Sequence, residues 1–249
     1  MRRDVPVRWL VDPETNAILW RGLSEMPLRL VDRAGAIVAD LGGGNGNFAS
    51  PLREKDARVI TLDPDLSSLR DAAPGIRPVA GSLLALPFRD SSVDGIAGRA
   101  VLHHVPGHLD AALAEACRVV RPGGLALFQE PTAGNRIASA GRRRFPTERH
   151  DPHERPLALE AYVEACRRHF DVLEVRPFFL ISYLLPHVIG RFPPNRRRLG
   201  RRVARVAFAW DERLLAALPG LHARAAYISI LARRRLDARS GNPLIRVPS

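Results

Sequence analysis

Two spacings alternate along the chain. Short apolar runs of strand length occur at "AIVADLG" (36–42), "ARVITLD" (57–63), "IRPVAGS" (76–82), "SVDGIAGRA" (92–100) and "LALFQEP" (125–131). Between them lie stretches with helical spacing, at 48–55, 64–73 and 105–120. The last of these is closed by Gly123 and Gly124, which permit the turn that stops a helix. Strands rich in Val, Ile and Leu, separated by helices, predict an α/β fold with a parallel sheet covered on both faces. Ahead of the first strand, Asp12 and Pro13 form a helix start, and Ile18, Leu19, Leu23, Met26 and Leu30 repeat close to helical spacing. Residues 1–35 therefore read as a helical cap on a domain spanning 36–249.

Beyond Pro131 the pattern loosens. Residues 132–156 are polar, basic and irregular, and are expected to cross the mouth of a cleft. A helix at 157–170, a strand at 171–180 and a last strand at 225–234 follow. Between those strands, 182–194 is apolar and broken by proline. In 195–220, Leu199, Val203, Val206, Ala207, Trp210, Leu214 and Leu218 follow one helix face, with Arg197, Arg198, Arg201, Arg202 and Arg205 largely elsewhere. The expected arrangement is a lid over 132–156 and 182–224 that packs this stripe on the domain and leaves the arginines in water. The alternatives are an apolar substrate pocket rimmed by arginine, and attachment to an anionic membrane surface.

Composition adds limits. With 249 residues and 46% hydrophobic content, the chain can bury a core. No apolar run approaches a bilayer-spanning length, and the N-terminus has no long apolar core, so a cytoplasmic protein is expected. Cys117 and Cys166 sit beside apolar residues and read as core thiols. The net charge of +12 is uneven: −1 over residues 1–130 and +13 over 131–249, with Lys55 the only lysine. The second half thus suits an anionic partner or surface.

The candidate chemistry centres on "VADLGGGNGNF" (38–48), between the first strand and the element after it. Gly42, Gly44 and Gly46 let main chain approach a ligand, and a helix start offers N–H groups to an anion. Asp63 ends the second strand, 23 residues after Asp40, where an acid can accept from ribose hydroxyls. The pattern is neither Gly-x-Gly-x-x-Gly nor a phosphate loop.

Here the chain resembles the class I S-adenosylmethionine-dependent methyltransferases, of the methyltransferase type 11 kind. "VITLDPD", "GSLLALPFRDSSVDGI", "AVLHHVP" and "RVVRPGGLALFQEP" follow the glycine turn in the family's order and cover roughly 36–131. The resemblance implies a doubly wound, Rossmann-like, seven-stranded, mostly parallel sheet with an antiparallel last strand. It implies S-adenosyl-L-methionine as cofactor and S-adenosyl-L-homocysteine as product. Asp40, Gly42 and Gly44 would hold the methionine part, with Gly46 completing the turn; Asp63 would hold the ribose, with Pro64 beside the adenine. Ser82 and Leu83 would meet the adenine edge, and Gly98 and Arg99 would offer main chain near the amino group. Ser82 and Leu84 stand where the family often has acids, and Gly43 where many relatives have a larger residue.

Such chemistry needs an oriented acceptor and exclusion of water more than a nucleophile. Where a proton must leave, the candidate bases are His104, then His103 and Glu130. His150, Asp151 and His153 match no strong zinc spacing, and no metal is expected. The expected function is methyl transfer to O, N or C of a small, mostly apolar and perhaps anionic metabolite in specialised metabolism. The alternatives are an RNA methyltransferase or binder, and a cofactor-binding protein of this fold that transfers no methyl. With few aromatics and no base-methylation signature, nucleic acid is a poor partner. A small-molecule acceptor is expected, and a transient membrane contact and a homodimer stay open.

Overall fold

The computed structural model describes residues 12–144 and 155–236. Seven strands form one sheet: β1 (Ile37–Leu41), β2 (Arg58–Asp63), β3 (Arg77–Ala80), β4 (Val93–Arg99), β5 (Val120–Pro131), β6 (Phe170–Phe178) and β7 (Tyr227–Arg234). Their order is β3-β2-β1-β4-β5-β7-β6. β1 to β5 pair in parallel, and β7 runs antiparallel between β5 and β6. The chain steps outward from β1 through β2 to β3 and then returns to the other side of β1 with β4. That reversal opens a crevice at the carboxyl ends of β1 and β4, where Leu41 pairs with Gly98.

Successive side chains of these strands serve opposite faces. Ala39 and Leu41 of β1, with Ala126 and Phe128 of β5, enter a core shared with α3 (Leu109–Val119) and α5 (Leu159–His169). Val38 and Leu127 point the other way, into a core with Leu19 and Leu23 of α1 (Pro13–Glu25) and Met26 and Leu30 of the 3-10 turn after it. Asp12 caps α1 by accepting from Thr15 N at 3.0 Å and Thr15 Oγ1 at 2.7 Å. Cys166 is buried and Cys117 half-buried; neither is in a disulfide among the described residues, and Cys117 Sγ donates to His169 O at 3.3 Å.

Three expectations change. The segment at 48–55 is not an α-helix but a 3-10 helix, Ser50–Lys55, with Pro51 in its first turn and left-handed Asp56 (φ 55°) ending it. So short an element carries little dipole, and the glycine turn before it already donates the N–H groups of Gly43, Gly44 and Gly46, to Leu62 O, Asp63 Oδ2 and Gly43 O. Second, part of the irregular stretch is helical: α4 (Arg136–Arg144) follows α2 (Leu66–Arg70) and α3 in chain order, and Asn135 Oδ1 accepts from Ala138 N at its start. Residues 145–154, with His150, Asp151 and His153, lie outside the described residues, as do 1–11 and 237–249.

Third, the apolar stripe faces outward. α6 (Leu185–Gly190) leads to α7 (Pro194–Ala217), whose buried residues are Gly200, Ala204, Asp211 and Leu215. Leu199 is 67% exposed and Trp210 54%, with Val203, Val206, Leu214 and Leu218 also exposed. The inner face is fixed by close approach and polar anchors. A Cβ on Gly200 would lie 3.0 Å from Ile189 Cγ1. Asp211 accepts from Leu180 N, Ile181 N, Ser182 N and Ser182 Oγ at 2.6–3.1 Å. Arg201 pairs with the buried Asp12 at 2.9 Å.

Candidate functional site

At the crevice the glycine turn leaves β1 with left-handed residues at Gly42, Gly44 and Gly46. Two of its glycines are forced by neighbours. A Cβ on Gly43 would sit 2.3 Å from Asp40 Oδ2 and 2.5 Å from Thr61 Oγ1, and one on Gly42 2.4 Å from Val101 Cγ2. Gly43 is thus required by the Asp40 carboxylate beneath it. Asp63 holds the turn from β2: its Oδ2 accepts from Gly44 N at 3.0 Å, and its Oδ1 from Asp65 N at 2.9 Å.

Asp40 is fully buried, and neither carboxylate oxygen has a hydrogen-bond partner among the described residues. Burial pushes its pKa up to about 7; Arg99 pulls it down, as more weakly does the Ala49 N–H, and Asp63 adds a little upward. Asp40, Gly42, Gly43, Asn45, Asn47, Phe48 and Arg99 line a cleft of about 280 Å³. Asn45, Asn47 and Phe48 were not assigned a role from sequence, although they stand within the same motif. Arg99 Nε also lacks a partner among the described residues. Its guanidinium lies 4.0 Å over the Phe48 ring and 5.7 Å from Trp20. Burial lowers its pKa, while Tyr227 and Asp40 raise it. Unsatisfied buried charges of both signs suit a zwitterionic ligand, so the donor set fits the methionine part of S-adenosylmethionine.

A ring cluster continues from Arg99. Trp20 packs edge-on against Tyr227 at 4.9 Å and lies 5.2 Å from Phe179, which lies 6.0 Å from Phe208 of α7 and 6.2 Å from Tyr183. Phe179 has φ 61°, a conformation that a bulky residue adopts only when its surroundings impose it. The cluster joins residues far apart in sequence, and only the "PFFL" and "SY" segments hint at it.

The turn after β4 is organised by Glu130, at the end of β5. Its fully buried carboxylate accepts from Val101 N at 2.9 Å, Leu102 N at 2.8 Å and His103 N at 3.3 Å, and meets His103 Nδ1 at 2.9 Å. His103 is buried; His104 is exposed, its ring 4.4 Å from that of His103. Of the other expected residues, Pro64 and Ser82 are exposed at strand ends, and Leu83 lies in the core. A Cβ on Gly46 would meet Ile76 Cδ1 at 2.6 Å, and one on Gly98 would meet Val101 Cγ1 at 3.1 Å. Gly46 and Gly98 thus allow close packing. The structure brings Asp40, Gly42 and Arg99 together, with Asp63 one hydrogen bond away through Gly44.

A sheet of this order, with an acid and a glycine turn at the β1–β4 reversal and a second acid ending β2, defines the class I S-adenosylmethionine-dependent methyltransferase fold. Residues 39–128 match the family model described as a methyltransferase domain. An uncharacterised methyltransferase of Mycobacterium avium is 37% identical over 100 residues, 38% of this chain and 39% of that protein. A demethylmenaquinone methyltransferase of Renibacterium salmoninarum is 36% identical over 131 residues, 48% of this chain and 55% of that protein. The chain thus spans about two fifths to about half the length of these curated relatives. Among solved structures, a complex of a Haloferax volcanii methyltransferase and its Trm112 activator aligns with TM-score 0.63 at 18% identity, over 91% of this chain and 93% of that one. The geranyl diphosphate C-methyltransferase of Streptomyces coelicolor aligns with TM-score 0.59 at 15% identity, over 90% and 84%. No helix among the described residues is long and apolar enough to cross a membrane.

Proposed function

We propose that the protein transfers a methyl group from S-adenosylmethionine to O, N or C of a small, mostly apolar acceptor. The observation that carries this reading is the fully buried Asp40 carboxylate, uncommitted beside the glycine turn and opposite Arg99. When bound, S-adenosylmethionine supplies a methyl group already activated on a sulfonium. Asp40 and the main chain of Gly42 and Gly44 hold the ammonium end. Arg99 answers a carboxylate. Asp63, oriented by Gly44 N and Asp65 N, keeps lone pairs free for ribose hydroxyls, with Pro64, Ser82 and Leu83 at the adenine. The rings of Trp20, Phe179, Tyr183 and Tyr227 wall the acceptor and exclude water.

Where the acceptor must lose a proton, exposed His104 takes it. Glu130 positions His103 and fixes the turn that carries both rings. The lid of 182–224 closes the acceptor side. The relative named for demethylmenaquinone supports an apolar acceptor.

Calorimetry with S-adenosylhomocysteine tests this. The wild type binds, and Asp63→Ala weakens binding about tenfold to a hundredfold, the loss of hydrogen bonds to a charged acceptor. With phenol and amine probes as acceptors, His104→Ala lowers turnover about a hundredfold while sparing that affinity. A wild type that takes up no cofactor ends the reading; unchanged turnover in His104→Ala ends the base assignment.

A further inference from the structure

The outer face of α7 is apolar and, among the described residues, uncovered. Leu199, Val203, Val206, Trp210 and Leu214 recur at steps of four, three, four and four, on one side of a helix of 24 residues. At 1.5 Å per residue the helix is about 36 Å long. A contiguous apolar surface of this length on a folded chain marks an interaction site.

The charge beside it narrows the partner. Helical spacing sets Arg198, Arg202, Arg205 and Arg213 along the flank of the stripe that lies away from the protein body, and all four are exposed. No acid among the described residues pairs with them. The two acids of α7 are committed elsewhere: Asp211 to the 180–182 main chain and Glu212 to Arg176 at 2.9 Å. The patch therefore offers aliphatic side chains, one tryptophan and a row of uncompensated positive charge, with no negative group to answer the same surface on a second copy.

We propose that α7 docks the protein onto an anionic phospholipid surface, lying in the plane of the interface with Leu199, Val203, Val206, Trp210 and Leu214 among the acyl chains and the arginines at the headgroups. The helix keeps its inner anchors, Arg201 to Asp12 and Asp211 to the 180–182 turn, so docking needs no unfolding. Phe208, on the inner side, reaches the ring cluster through Phe179, and the docked helix thereby also walls the cleft.

Flotation of the full chain with vesicles tests this. The protein floats with phosphatidylcholine vesicles containing phosphatidylglycerol and stays in solution with phosphatidylcholine alone. Binding falls as salt rises, and Trp210 emission shifts to the blue on binding. Val206→Asp, and separately Arg202→Ala with Arg205→Ala, each lower partitioning roughly tenfold or more. Both variants alter only exposed side chains, so their melting temperatures and their S-adenosylhomocysteine affinity match wild type. That invariance separates this proposal from the methyl-transfer reading. The proposal is overturned by no flotation at low salt, by equal binding to both vesicle types, or by binding that the variants leave untouched. It is equally overturned by a dimer in sedimentation velocity that Val206→Asp dissociates, because a second copy would then be the occupant.

Discussion

Burial raises Asp40 to about 7, against an ordinary carboxylate value near 3.8. In the unfolded chain the same group ionises near 4, so between those values the folded chain binds more protons than the unfolded one. Stability of the unliganded protein therefore falls as pH rises from about 4 to about 7 and levels off above, by up to about 4 kcal/mol. Asp40→Asn removes that slope, so the variant melts at a higher temperature than wild type at pH 8 and at a similar one near pH 4. The same substitution weakens cofactor binding, because an amide cannot balance an ammonium. A gain in stability with a loss of affinity is what a group strained for function shows. Binding of a cation beside Asp40 lowers its pKa, so at pH 6 uptake of S-adenosylhomocysteine releases up to about one proton per site. Calorimetry in buffers of different ionisation enthalpy reads this release directly. Identical heats across buffers, or a variant no more stable at pH 8, would show Asp40 ionised throughout.

α7 shows how a helix can be anchored by its polar residues. Asp211 accepts from three consecutive main-chain N–H groups, of Leu180, Ile181 and Ser182, and from Ser182 Oγ. Asp211→Ala takes the acceptor from those donors, that of Ser182 buried, and costs about 3 kcal/mol, measured by urea unfolding. Asp211→Asn, which keeps shape but loses charge, falls between. A loss in Asp211→Ala within about 0.5 kcal/mol of zero, the usual range for surface changes, would put the anchor elsewhere. This helix also separates what a local pattern encodes from what it does not. Its period was legible, because Leu199, Val203, Val206, Trp210 and Leu214 repeat on one side. Its phase was not, because the buried side is built from Gly200, Ala204 and a carboxylate whose partners sit some thirty residues away. The central strands β1 and β4 were legible because both their faces are buried, whereas β3, mostly exposed at the sheet edge, carries the weaker signal. The acids and glycines of the cleft were legible for a local reason, since one turn and one strand end carry them. The ring cluster around Arg99, the left-handed Phe179 and the Glu130 clasp on the 101–103 turn join segments distant in sequence, and no local pattern encodes them.

The molecule divides its labour between a sheet that holds the cleft and a roof laid over one end of it. β1, β2 and β4 carry Asp40, Asp63 and Arg99, while α1, the 182–184 turn and α7 carry Trp20, Tyr183 and Phe208. Two segments far apart in sequence meet in that roof, chiefly at the Asp12 carboxylate. Asp12 caps α1 through Thr15 and receives Arg201 Nε and Nη2 from α7 at 3.0 and 2.9 Å, across 189 residues of sequence. Arg201 also reaches Glu14 at 2.6 Å. Its guanidinium is the main reason that Asp12 is held well below the usual carboxylate range. Asp12 is fully buried, so removing Arg201 leaves a charge that, among the described residues, Thr15 alone satisfies, at a cost of about 3 kcal/mol. The loss should be confined. In Arg201→Ala, hydrogen exchange quickens across 13–25 and 194–217, whereas β1, β4 and β5 exchange as in wild type, because the sheet's own ladders are untouched. S-adenosylhomocysteine affinity then stays near wild type while the apparent affinity for the acceptor falls, since only the ring wall has loosened. Because the folded pKa of Asp12 is depressed, the contribution of this anchor is present above about pH 4 and disappears as pH falls below it, so the variant and wild type converge in acid. If exchange instead quickened throughout the sheet, the roof and the cleft would form one cooperative unit, and the ion pair would support the whole fold.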